Sequence, residues 1–135
     1  MATFTKFQPF VEALAEKTHN LGSDQLVVAL SASAPTNTWA TLSQVTQIAY
    51  TNLSSRNIAT SSSAQTSGTY KLTLSDLTLT ASGSVATFRY IIIYNDTATN
   101  DDLIAYYDYG SNVTLASGDQ FIIDFDGTNG FLTLA

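Results

Sequence analysis

The sequence predicts a mainly β fold: an antiparallel β-sandwich or jelly-roll-like domain preceded by one amphipathic α-helix. Three observations predict it. From residue 57 to the end, short apolar runs alternate with turn residues at intervals of about eight to twelve positions, the spacing of antiparallel sandwiches. Only one segment, near the front, carries a strong helical period. The chain has 135 residues and no cysteine, so its core must form without disulfides. Surface scaling for 14.5 kDa gives a folded area of roughly 6,900 Å², with about two-thirds of the unfolded surface buried. No linker, second composition regime or repeat at a 20–50-residue period interrupts it. The expected organisation is one domain over 1–135, with a helical arm over 1–22 and the β-sandwich over 23–135.

The helix is expected from Phe7, Phe10, Val11, Leu14, Ala15 and Thr18, whose spacings of three and four define one face. Thr5 is the expected cap, Pro9 suits the first turn, and Asn20, Leu21 and Gly22 form the expected exit. The period then changes. Leu26, Val28 and Leu30 alternate with Val27 and Ala29 in a short, well-buried strand, and residues 31–38, with Pro35, form a loop. Over 41–49, Leu42, Val45 and Ile48 fit a short helix capped by Thr41, against which the β-branched residues compete.

The Ser-rich stretch 58–65 reads as an edge strand or hairpin arm, broken at Gly68. Tyr70, Leu72 and Leu74 then alternate, and Leu77 and Leu79 continue on the opposite parity, which predicts a bulge or tight bend at Ser75 and Asp76. Residues 85–94 are the most hydrophobic, and the run 90–94 is apolar on both faces, as in a covered central strand. Residues 95–102 form a polar loop, and the strand from Leu103 is expected to turn over 109–112 ahead of a brief strand at Val113 and Leu115. Ser117 and Gly118 predict a hairpin. Phe121, Ile123 and Phe125 face one way, Ile122 and Asp124 the other. Asn129 and Gly130 turn the chain into a terminal strand over 131–134. In all, seven or eight short strands are expected.

Composition narrows the function. Five Lys and Arg stand against eleven Asp and Glu, for a net charge of −6, and phosphate neutralisation needs clustered cations, so nucleic acid is not an expected partner. No apolar run reaches the ~20 residues of a membrane span. The first ten residues show no basic segment followed by an apolar one, so no secretory signal is read there. Charged residues make up only 12%, about half the usual share, and Ser and Thr fill about a quarter of the chain. Such surfaces meet others at low desolvation cost, which favours an assembly component.

Catalytic signals are weak, and no enzyme activity or cofactor is expected. His19 is the single histidine, no Gly-x-Ser-x-Gly elbow accompanies it, and it is expected to cap the helix C-terminus as a cation. The acidic loop Asp96, Asp101 and Asp102 has the oxygen-rich chemistry of a calcium site without EF-hand spacing; Asx residues more often build ordinary turns, so no metal is expected. Tyr106, Tyr107 and Tyr109 fit a sandwich core and rim, a protein interface or a sugar-stacking platform. Phe4, Phe7, Phe10 and Trp39 join them as candidate interface anchors, with the acidic loop as rim. On this reading a Phe7→Ala, Phe10→Ala double variant would lose assembly and keep its fold.

Three blocks carry a resemblance: residues 7–21 (FQPFVEALAEKTHNL), 88–110 (FRYIIIYNDTATNDDLIAYYDYG) and 118–134 (GDQFIIDFDGTNGFLTL), together roughly half the chain. They resemble small virion proteins of tailed bacteriophages of the capsid decoration (cement) type. The resemblance implies a non-enzymatic protein made in the host cytoplasm that sits on the outer capsid surface. Its implied partner is the major capsid protein, and it would form a homo-oligomer, often a trimer, that clamps the lattice against the pressure of packaged DNA. It also leaves open a place in the tail, collar or fibre. A carbohydrate-binding module is a further alternative, read from the tyrosines.

Overall fold

The computed structural model describes residues 2–135. It is mainly β, with 44% of residues in strands and 8% in helix. Among the described residues, a first sheet orders its strands β1-β8-β7-β2-β3, all antiparallel. These are β1 (Thr3–Lys6), β2 (Leu26–Ser31), β3 (Asn57–Ile58), β7 (Phe88–Asn95) and β8 (Leu103–Val113). Facing it are β4 (Thr60–Thr66) and β10 (Leu132–Leu134) on either side of β5 (Thr69–Leu74), and the pair β6 (Leu77–Thr80) and β9 (Gln120–Ile123). The two layers share one core, in which Val28, Leu30, Ile91 and Ile93 meet Leu72, Leu74, Leu79 and Ile123. The accessible area, 7005 Å², agrees with the scaling expectation.

The front of the chain corrects the expected helical arm. Thr5 is not a helix cap; it lies in β1, opposite Tyr106. Helix α1 (Gln8–Ala15) has eight residues, with Phe7 at the cap position and no side-chain cap. Instead the Phe7 N–H donates to the Ile104 carbonyl (3.0 Å) and the Gln8 N–H to that of Asn37 (2.8 Å). The helix also ends early. Thr18 N–H donates to the Ala13 carbonyl (2.9 Å) and Lys17 N–H to that of Leu14 (3.4 Å), the Schellman pattern, with Lys17 at φ 71° where glycine is usual. With β1 built into the first sheet, residue 22 is not a seam between an arm and a sandwich.

Two other elements differ for topological reasons. The parity switch at Ser75 and Asp76 is a change of sheet: β5 pairs with β4 and β10, and β6 pairs with β9. The β8 strand does not turn at Gly110 but continues to Val113, which lies opposite Phe88. Gly110 sits at φ 92° and absorbs the register shift between Phe88 and Tyr90, a bulge of the kind glycine permits. Over 41–49 only a 3₁₀ turn forms, Leu42–Gln44, with Gln44 Oε1 accepting the Thr41 N–H (3.1 Å). The chain beyond it is held extended; Ile48 N–H donates to the Leu30 carbonyl (3.0 Å).

That segment covers the outer face of the first sheet. Trp39, Leu42 and Val45 pack with Val27, Ala29, Ile92 and Tyr94 in a second, smaller core, which explains why every residue of β2 is buried. The central strand β7 lies between β8 and β2 and is covered on both faces, as its apolar run predicts.

Candidate functional site

The structure divides the seven aromatic candidates between the two faces of the first sheet. Phe7, with no exposed surface, packs on Tyr106 (ring centroids 5.2 Å apart) beside Trp39 in the outer core. Phe10 is also buried, against the His19 ring at 5.1 Å. Phe7 and Phe10 are therefore core residues, not interface anchors, because the β1–α1 junction folds them inward. Trp39 and Tyr106 are half-buried on that same outer face. Phe4, Tyr107 and Tyr109 belong to the opposite side. A platform of three tyrosines on one face does not exist, since Tyr106 points away from Tyr107 and Tyr109.

Phe4, Tyr107 and Tyr109 lie along one edge of the sandwich, where β1 ends the first sheet and β9 and β10 end the second layer. Phe4 meets Tyr107 (5.4 Å) and Phe131 (5.7 Å) edge-on, and Tyr109 meets Phe121 (5.3 Å). The five exposed large hydrophobic residues among those described are Phe4, Val11, Tyr109, Ile122 and Leu134. All five line two grooves on this edge. One, of about 460 Å³, lies between β1, α1 and β10 and takes Phe4, Val11 and Leu134 into its walls. The other, of about 200 Å³, lies between β1, β8 and β9 and includes Tyr109, Ile122 and Asp124. Single exposed apolar residues are ordinary; their convergence on one edge marks an interaction surface.

Charge on this edge is sparse. Lys6 lines the first groove and Asp124 the second. Burial, with Asp124 and Asp126 nearby, pushes the Tyr107 hydroxyl up to about 12, so it remains a neutral donor at any physiological pH. Behind it Arg89 grips Asp108 with two hydrogen bonds (2.8 and 3.1 Å), and Asp108 also accepts the Gly110 N–H (2.9 Å). The guanidinium contact holds the Asp108 carboxyl below the usual range. This ties the β8 bulge to β7.

His19 is not an exposed cap. It is 5% exposed, its Nδ1 lies 2.9 Å from the Asn95 side-chain amide, and its Nε2 is buried without a partner. The Asn95 amide also donates to Asp24 (2.7 Å). Burial lowers the His19 pKa against the opposing pull of Asp102 and Asp24. An amide facing Nδ1 requires that nitrogen to accept, so the ring is neutral and buttresses the turn after α1.

The acidic loop is organised by its own backbone: Asn95 Oδ1 accepts the N–H groups of Thr97 (2.9 Å) and Ala98 (3.2 Å). Burial, then repulsion from Asp96 and Asp102, raises the Asp101 pKa. Among the described residues no three His, Asp or Glu side chains converge as metal ligands, and no helix is long and apolar enough to cross a membrane.

Sequence reasoning missed Val11, Ile122, Phe131 and Leu134. The alternation over 121–125 did place Ile122 opposite the core face, which was the available signal. No protein-family model, curated protein or solved structure matches the chain.

Proposed function

We propose that this protein is a non-enzymatic, self-associating component of a phage virion that decorates the outside of the capsid and stabilises it through many weak contacts. The observation that carries the assembly role is the convergence of Phe4, Val11, Tyr109, Ile122 and Leu134 on one sandwich edge. Burying the part of such a side chain that is still exposed, 42–62% of it, stabilises association by about 1 kcal/mol. The pattern resemblance of the three sequence blocks supports the virion setting, with the major capsid protein as partner. An acidic, weakly charged surface, at −6 overall, suits the exterior of a shell whose contents are polyanionic. Low-affinity contacts repeated across a lattice reach high avidity through effective concentration.

The test is the copy number of this chain in purified particles relative to the major shell protein, by quantitative mass spectrometry. Hundreds of copies, together with particles that burst at lower temperature when it is absent, are expected. A few to a few dozen copies would place it in the tail, collar or fibre instead. Absence from particles would end the virion reading.

A further inference from the structure

We infer that the apolar edge is occupied by a second copy of this chain, with the two β1 strands laid antiparallel about a two-fold axis at Phe4. This rests on the reading of the edge as an assembly surface. β1 pairs with β8 on one side only, so its other side offers free backbone donors and acceptors, as in strand addition. Ala2, Phe4 and Lys6 share one parity, and all three line the edge grooves.

The two ends of the edge differ in size. At the Lys6 end lies the larger groove, about 460 Å³, walled by Val11, Leu14 and Leu134. At the Ala2 end lies the smaller groove, about 200 Å³, lined by Ile122, 62% exposed, and Tyr109, 42% exposed. Antiparallel apposition sets Ile122 and Tyr109 of each copy against the larger groove of the other, apolar surface on apolar surface at both ends.

The ends also differ in charge. Lys6 lies at one end and Asp124 at the other. Among the described residues the one ion pair is Arg89 with Asp108, so Lys6 has no carboxylate partner within its own copy. The two-fold puts Lys6 opposite Ala2 of the second copy, which shares its groove with Asp124. Apolar contact and charge are therefore each matched twice by one symmetry operation, as an isologous interface requires. The product is a closed dimer, in place of the trimer that the sequence resemblance implies.

The test is sedimentation equilibrium of the full chain, with Lys6→Asp, Asp124→Lys, the double swap and Ile122→Asp, each checked for an unchanged thermal midpoint. The wild type is expected at twice 14.5 kDa. Each single charge reversal should weaken the dimer about tenfold, the double swap should restore it, and Ile122→Asp should give a monomer. A monomer at every concentration, a trimer, or a dimer indifferent to these changes would overturn the inference. The wider reading is separable. A monomeric protein that still coats particles in high copy, and leaves them on Ile122→Asp, has the capsid rather than a second copy on this edge.

Discussion

At the scale of single residues, two side chains expected on the surface turn out to govern stability. His19 is held neutral because burial disfavours its charge and because Asn95 presents N–H to its Nδ1. Its folded pKa is below the unfolded value of about 6.5, so the unfolded chain takes up protons first. The stabilising contribution is complete above pH 6.5 and is lost as pH falls through the lowered folded value. The thermal midpoint of the wild type should therefore drop more steeply between pH 7 and pH 5 than that of His19→Leu; parallel curves would show that His19 does not titrate against the fold. Phe7 makes the second case. With no exposed surface and Tyr106 against it, Phe7→Ala opens a cavity that should cost about 3–5 kcal/mol in chemical denaturation. The Phe7→Ala, Phe10→Ala variant would thus lose assembly through unfolding and report nothing about an interface. A double variant with wild-type stability would return both residues to the surface.

At the scale of elements, helix α1 shows how a local choice sets a boundary. Lys17 occupies the left-handed position of the Schellman turn at φ 71°, where a residue with a Cβ is strained by about 1–2 kcal/mol. Part of that is offset by the greater freedom glycine has when unfolded, so Lys17→Gly should stabilise by about 0.5–1 kcal/mol, read as a higher denaturation midpoint. A lower midpoint would mean that the Lys17 side chain itself holds the turn. The helix was legible from its three-and-four spacing, but its end was not, because the true exit uses a lysine while Gly22 offered the usual signal. The central strand β7 was legible because burial on both faces leaves a continuous apolar run, and β9 because half-burial leaves alternation. The four residues of β1 carry no such pattern; they are a strand because β8 pairs with them, a long-range fact. The sheet change at Ser75 and Asp76 leaves the same trace as a bulge. The same limit applies to the site. Alternation says which residues share a face, yet not that β1, β9 and β10 meet at one edge.

At the scale of the whole molecule, the two sides of the sandwich treat their free strand edges in opposite ways. On the far side β3 has only two residues, and β4 is a Ser-rich strand, exposed along nearly its whole length. Short and polar edges resist pairing with other chains. On the near side, the edges of β1, β9 and β10 carry Phe4, Ile122 and Leu134, all exposed. An unprotected apolar edge is an aggregation hazard unless something covers it, so the asymmetry points to near-side coverage in the assembled state. This yields a paired expectation. Ile122→Asp on the near edge and Ser61→Asp on the far edge both change an exposed residue, and both should leave stability within about 0.5 kcal/mol of wild type. Only Ile122→Asp should alter sedimentation or release the protein from particles. If Ser61→Asp alone released it, the capsid would be gripped through the Ser-rich edge, and the apolar edge would have to be explained by self-association alone.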